Sequence, residues 1–344
     1  MRPSPTSLPP ILLRSVNLFA KPRLAPLHKP LQVANMHAAQ VQAWSEGPKL
    51  VTVPDPPAPA EGEYRLKLVA TGLHRVVGLR ASGAHYSARS LPHTLGIDGV
   101  GLDESTGKQY FFTNWAATFG SFAEYINIAK VQCVELPASA DGPAIAAFNN
   151  PAMSSWLALS KRTSGLPKDF TALIIGVTSA SGALAVQIAR AFGAARIIGA
   201  ARNVEAARQV EGGVDEVIAM KGADTDFSKV ECDVVLDYVY GDVTAALFRT
   251  LPTPRPVQFV QIGALSNTME IPFDAAWLRG KNFTLRGSGP GAFSVQDGKD
   301  EAVPLLNKMV QMRLPAPTQV KLADFDKVWK DQAALGKGRI VFVP

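Results

Sequence analysis

Residues 171–202 constrain the fold more than any other stretch, because they read strand, glycine-bearing turn, helix, strand. The apolar run Ala172-Leu173-Ile174-Ile175 enters the turn Gly176-Val177-Thr178-Ser179-Ala180-Ser181-Gly182. A small-residue helix follows from Ala183 to Phe192, and then the run Arg196-Ile197-Ile198-Gly199-Ala200. An apolar strand entering such a turn, with a helix N-terminus aimed back at it, is the start of a βαβ unit built to hold a pyrophosphate. Leu184, Ile188 and Phe192 share one helical stripe, while Gly182, Ala185 and Ala189 keep an adjoining face thin enough to lie against a sheet. The middle position of the Gly-x-x-Gly-x-x-Gly spacing is Ser179. Glycine-rich strand-to-helix turns also occur in folds that bind nothing, so the turn needs support from elsewhere.

The end of the next strand supplies that support. A site for NAD places an Asp or Glu there to accept from the ribose 2′-hydroxyl, but this chain reads Ala200-Ala201-Arg202-Asn203, with no acid before Glu205. A guanidinium fork suits a 2′-phosphate, so Arg202 points to NADPH. The competing reading is a solvated arginine opening the next helix.

With 344 residues and 47% hydrophobic content the chain can bury a large core, and its length suggests two domains. No apolar stretch reaches the length of a bilayer span, so no membrane segment is expected. The formal charge of +6 is concentrated in the first 35 residues, where Arg2, Arg14, Lys21, Arg23 and Lys29 meet no acid. The remainder is nearly neutral, which argues against a nucleic-acid binder. Residues 1–35 read as a disordered leader. Being basic and acid-free they also allow a mitochondrial presequence, although seven prolines oppose an amphipathic helix, and Met36 is an alternative start. Cys133 and Cys232 form no disulfide framework, so a reducing compartment, the cytoplasm, is the expected location.

From Gln40 to Glu135, β-type runs at residues 49–53, 64–69, 110–112 and 122–127 are separated by Pro and Gly, as in a small β-barrel. Residues 144–159 read as helix. Beyond them apolar strands at 217–218, 234–237, 257–262 and 283–286 alternate with helices, which implies a parallel sheet covered on both faces. The terminal run Arg339 to Val343 is β again and can return to the first domain.

Taken together, these motifs resemble the medium-chain dehydrogenase/reductase superfamily, in its zinc-free quinone oxidoreductase branch. The likeness rests on Leu79 to Tyr86, Leu91 to Gly101, Gly120 to Tyr125, Asn150-Pro151-Ala152-Met153, the nucleotide turn, Gln187-Ile188-Ala189-Arg190 and Gln261-Ile262-Gly263. It implies an α/β protein in which a GroES-like β-barrel domain accompanies a Rossmann doubly wound parallel sheet. Residues 36–148 and 290–344 would form the substrate domain and 149–289 the NADPH-binding domain. It further implies a homodimer that reduces a quinone or an activated C=C bond. Zinc-dependent relatives would carry ligands at Leu73-His74, after Gly96 and near Asn150; here Leu73, Ile97 and Asn149-Asn150 stand there, and two cysteines cannot build a four-cysteine lobe. His74 then reads as a packed or hydrogen-bonded histidine. The chain departs from the branch at Ala219-Met220-Lys221, where an Asn-Tyr-Arg is usual; Lys221 either replaces that Arg or is a solvated loop lysine.

Reduction of an enone without metal needs a hydride donor, a pocket, and a partner for the charge on the carbonyl oxygen. The family arrangement puts Gly176, Thr178, Ser179, Ala180, Ser181, Gly182, Arg202, Lys221, Gly263 and Gly287 on the cofactor, with Gly287-Ser288-Gly289 beside the nicotinamide. Tyr86 is the candidate acid, with solvent as the alternative proton source and a rim tyrosine as its plain role. Asp98 either holds neighbouring side chains or caps a turn. Ser154-Ser155, read as opening an apolar helix, and Cys232 are expected to be structural. No Gly-x-Ser-x-Gly elbow or His-x-x-x-His spacing offers other chemistry. Two rivals remain: a nucleotide-binding sensor without turnover, and a trans-acting enoyl reductase of a biosynthetic assembly line.

Overall fold

The structure, a computed structural model, describes residues 34–84, 88, 90–114, 119–289, 291–331 and 338–344. Strands β1 (Asn35–Val41), β2 (Pro48–Pro54) and β3 (Glu63–Gly72) come first, then helix α1 (Arg75–Ala81), then β4 (His93–Thr94), β5 (Asp98–Asp103), β6 (Lys108–Thr113), β7 (Tyr125–Ala129) and β8 (Cys133–Glu135). Helix α2 (Gly142–Arg162) leads to β9 (Thr171–Ile175), α3 (Ala180–Ala191), β10 (Arg196–Ala201), α4 (Val204–Arg208), β11 (Glu216–Ala219), β12 (Val234–Asp237), α5 (Asp242–Thr250), β13 (Val257–Gln261), α6 (Ala275–Gly280) and β14 (Phe283–Gly287). The chain closes with α7 (Val295–Met309), β15 (Thr318–Lys321), α8 (Phe325–Lys330) and β16 (Ile340–Val343).

The six strands β9 to β14 form one parallel sheet in the order β11-β10-β9-β12-β13-β14. The central strands β9, β10 and β12 are almost continuous apolar runs because both faces are covered, whereas the edge strand β14, Phe283-Thr284-Leu285-Arg286-Gly287, leaves Thr284 and Leu285 exposed. Ala172 and Ile174 of β9 enter a core cluster with Leu184, Ile188 and Ala189 of α3, whereas Leu173 and Ile175 enter a second cluster with Val243, Leu247 and Phe248 of α5. Each fully buried Leu or Ile adds about 1.5–3 kcal/mol. The strand order reverses between β9 and β12, the switch point at which open α/β sheets hold ligands beyond the C-terminal strand ends.

Before and after this sheet the chain builds the GroES-like part. β3 pairs antiparallel with β5, β7 and β16, and β5 continues through β6 to β8. β1, β2 and β4 form a smaller sheet. The C-terminal strand thus returns to β3, with Val341 opposite Gly72 and Phe342 opposite Thr71. Helix α2 joins the two parts. Asp141 caps it by accepting from the Ala144 N–H at 3.1 Å. Its buried Ile145, Ala147 and Phe148 share a cluster with Ala70 and Val100 on one side and with α3 on the other.

Several boundaries differ from those read in the sequence. Helix α2 runs on at both ends past residues 144–159 and continues through Pro151, so Ser154 and Ser155 lie in mid-helix rather than at its start. The run at 122–127 becomes a strand only from Tyr125; Phe122 and Ala123 instead bond irregularly to β1, the Ala39 N–H donating to Phe122 O at 2.8 Å. β5 carries Gly99 and Gly101, poor strand formers, yet a Cβ at Gly101 would meet Leu66 Cβ at 2.7 Å. Close approach to β3, not propensity, makes that strand.

Candidate active site

The turn that the sequence singles out follows β9 at this switch point. Gly176 sits at φ +86°, a conformation that penalises any side chain, and the N–H groups of Gly176 and Val177 both donate to Ala200 O. Ser179 caps α3, its hydroxyl accepting from the Gly182 N–H at 3.0 Å. The serine at the middle position of the motif therefore has a local task. The backbone N–H groups of Thr178, Ala180 and Ser181 meet no acceptor among the described residues. A Cβ on Gly182 would lie 2.2 Å from Gly176 O, so the helix reaches this close to the strand end only with glycine there. Unpaired donors at a helix N-terminus form an anion cradle.

β10 and β11 end side by side, Ala201 opposite Ala219, with the Met220 N–H donating to Ala201 O at 2.9 Å. Arg202 and Lys221 therefore project from neighbouring strand ends. Arg202 is exposed, and neither side chain is engaged in a hydrogen bond or ion pair among the described residues. Glu205, the first acid after β10, is taken by Arg208 at 2.5 Å, and Asn203 caps α4. Gly263 packs on the backbone of the β12 loop, where a Cβ would meet Tyr238 O at 2.9 Å. A Cβ at Gly287 would meet open space, so nothing within the chain itself requires glycine there. Tyr86 lies outside the described residues.

The loop after β12 is a part of the site that the sequence reading does not single out. Asp237 is fully buried at the strand end. Its carboxylate accepts from the N–H groups of Val239 at 2.9 Å and Tyr240 at 3.0 Å, and from the Thr244 hydroxyl at 2.5 Å. Burial pushes its pKa up, against those three bonds. The Tyr238 hydroxyl shares a hydrogen bond with Ser155 Oγ at 2.6 Å, which ties the loop to α2 and gives Ser155 a structural role. The signal available in the sequence is an acid closing an otherwise apolar strand.

No protein-family model matches the chain. A protein of Emericella nidulans described as a probable NADPH-dependent quinone reductase, tdiC, is 34% identical over 358 aligned positions that take in 90% of this chain and all of that one. This chain belongs to the medium-chain dehydrogenase/reductase superfamily. A quinone oxidoreductase of Sus scrofa is 31% identical over 144 positions, 40% of this chain and 44% of that protein. The crystal structure of the Thermus thermophilus quinone oxidoreductase, solved also in complex with NADPH, superposes with a TM-score of 0.70 and 22% identity, covering 90% of this chain and 100% of that one.

The resemblance to zinc-dependent relatives implies a metal-ligand position at Leu73-His74. Here both ring nitrogens of His74 are taken. Arg339 donates Nη2–H to Nδ1, and a guanidinium can only donate, so Nε2 carries the proton and donates it to Asp98 Oδ1 at 2.9 Å. Arg339 also donates Nε–H to Ala147 O of α2 at 3.1 Å. All three side chains are largely buried, and His74 is the hydrogen-bonded histidine expected from sequence. Asp98 holds its neighbours rather than capping a turn. Among the described residues no three His, Cys, Asp or Glu side chains cluster closely enough to hold a metal ion. Burial pushes the thiols of Cys133 and Cys232 up to about 12, which keeps both protonated near neutral pH.

His93 on β4 is buried beside Arg80, and burial together with that charge holds its pKa at about 4 against 6.5. Between these values the unfolded chain takes up a proton that the folded His93 refuses. The stability present above pH 6.5 is therefore lost as pH falls towards 4. The urea midpoint is expected to drop from about pH 7 to about pH 4.5, and His93→Gln to flatten that slope; an equal slope in the variant would assign the loss to other groups.

Proposed function

We propose that this chain uses NADPH to reduce a quinone or an α,β-unsaturated carbonyl, without a metal ion. The observation that carries the reading is the crest of the parallel sheet, where a glycine-built anion cradle adjoins two neighbouring strand ends bearing Arg202 and Lys221, both unengaged among the described residues, while Glu205 is taken by Arg208. NADPH, when bound, supplies the hydride. The N–H groups of Thr178, Ala180 and Ser181, with the Ser179 hydroxyl, hold its pyrophosphate, and Gly176 and Gly182 allow the approach. Arg202 and Lys221 hold the 2′-phosphate through charge-assisted bonds. Gly263 and Gly287 border the nicotinamide. Tyr86 hydrogen-bonds the acceptor's carbonyl oxygen and passes it a proton, with solvent as the other proton source. In this reading residues 149–289 bind the nucleotide and residues 36–148 with 290–344 bind the acceptor.

The same reading includes a homodimer in the cytoplasm. β14 is one of the two edge strands of the parallel sheet, the other being β11, and it exposes Leu285, while α6 exposes Leu278. No helix among the described residues is long and apolar enough to cross a membrane. Oxidation of NADPH followed by its loss of near-ultraviolet absorbance, with 9,10-phenanthrenequinone and with simple enones, tests the activity. Turnover with either class supports it, and tight NADPH binding without turnover would leave a nucleotide sensor. Tyr86→Phe is expected to lose most activity; full activity would hand the proton to solvent.

A further inference from the structure

Two cavities open at the C-terminal ends of β13 and β14. The larger, about 220 Å³, is lined by Phe248, Phe259, Phe273 and Leu285 together with Tyr240, Gln261 and Gly287. The other, about 210 Å³, is lined by Tyr240, Gln261, Ala264 and Met269. Tyr240 and Gln261 are common to both. Each space suits one ring or one short branched chain, since an apolar cavity of about 150 Å³ already admits benzene.

Tyr240 is held in an unusual way. Its φ is +61°, in the left-handed region that costs a bulky residue about 1 kcal/mol or more. The cost is imposed by the buried Asp237 carboxylate, which grips the Tyr240 N–H, and by Gly241 at φ +74° next in the chain. Leu265 N–H and Ser266 N–H donate to Tyr238 O and Val239 O at 3.1 and 3.0 Å, so the loop is bonded from a second side. Among the described residues the Tyr240 hydroxyl has no hydrogen-bond partner, although buried or half-buried tyrosines usually find one. A glycine would fit this backbone without strain. Keeping a large aromatic there is costly in the folded state, and the first of the two cavities it borders is also lined by Gly287, which the proposed reading sets beside the nicotinamide.

We propose that Tyr240 selects the acceptor: its ring divides one apolar space into two, so that a planar quinone or enone of one ring fits and a fused polycyclic one is held poorly. The inference rests on the reading of the site as a quinone or enone reductase. Gln261 and the Tyr240 hydroxyl give the divided space its polar contacts, and the phenylalanines take the apolar substituent.

Tyr240→Gly removes the partition at a position whose backbone favours glycine, so folding is expected to survive and a thermal melt checks it. Tyr240→Phe keeps the ring and removes only the hydroxyl. In the glycine variant, the ratio of kcat/KM for 9,10-phenanthrenequinone to that for 1,4-benzoquinone is expected to rise about tenfold or more, with the KM for NADPH within about twofold of the parent. The phenylalanine variant should keep the parent ratio. A ratio unchanged in the glycine variant, or changed equally in both, overturns the proposal. Calorimetric titration of 9,10-phenanthrenequinone into the NADP⁺-saturated proteins gives a readout independent of turnover. If the parent reduces nothing, the functional reading fails, and the titration still decides: tighter binding by about tenfold in the glycine variant sustains the partition, while equal or absent binding in both proteins refutes it.

Discussion

Replacing Arg202 with alanine is expected to lower kcat/KM for NADPH by about 10- to 100-fold while leaving that for NADH nearly unchanged. The argument starts from the end of β10, where the carboxylate that would read a ribose 2′-hydroxyl is absent and Glu205 is already engaged by Arg208. Arg202 is exposed there and engaged by no other described residue, so its charge is available to a phosphate. The register of Ala201 with Ala219 brings Lys221 to the neighbouring strand end. Lys221→Ala is therefore expected to act in the same direction with a smaller effect, because a lysine meets a phosphate as a point charge and an arginine meets it as a fork. The two losses should not add, since both act on one phosphate. Steady-state kinetics with both coenzymes measures the ratio. An NADPH/NADH preference untouched by Arg202→Ala would remove this residue from the site, and a matching loss with NADH would point to damage of the turn instead.

The parts of this molecule that are legible in its sequence are those decided by local pattern. β12 is legible at its full extent, Val234 to Asp237, because a strand buried on both faces is an almost continuous apolar run, and β13 and β14 are legible to within one residue at one end from their Val, Phe and Leu content. The cradle is legible because the roles of Gly176 and Gly182 are local: one needs a left-handed backbone, the other a missing Cβ. What stays hidden depends on partners far away in the chain. β1 and β5 are rich in Ala and Gly and become strands only against β2 and β3. The role of Asp237 needs the loop folded back on it, and that of Tyr240 needs two walls contributed by α5 and by the segment after β13. Arg339 lies 265 residues from the histidine it meets, and nothing in its own neighbourhood announces that contact.

That long-range contact carries the second large effect. Asp98→Ala is expected to destabilise the fold by about 3–5 kcal/mol, because it strands a buried guanidinium without its counter-charge and leaves the His74 Nε2–H without an acceptor. Burial pulls the Arg339 pKa down and the Asp98 charge opposes that pull, so the two charges sense one another across the bridging imidazole. The trio joins the N-cap of α1, the start of β5, the residue before β16 and, through Ala147 O, helix α2. It therefore fastens the C-terminal return to the helix that spans both parts of the molecule. Asp98→Asn should cost less, since its amide oxygen still accepts from His74. Removing both charges together, as in Asp98→Leu with Arg339→Met, should be milder than the sum of the single changes, because no lone charge is left in a dry site. Urea denaturation of the single and double variants at about pH 7 gives the comparison. Strict additivity of the single losses would mean that the two charges do not sense one another, and the histidine would then be a spacer instead of a bridge.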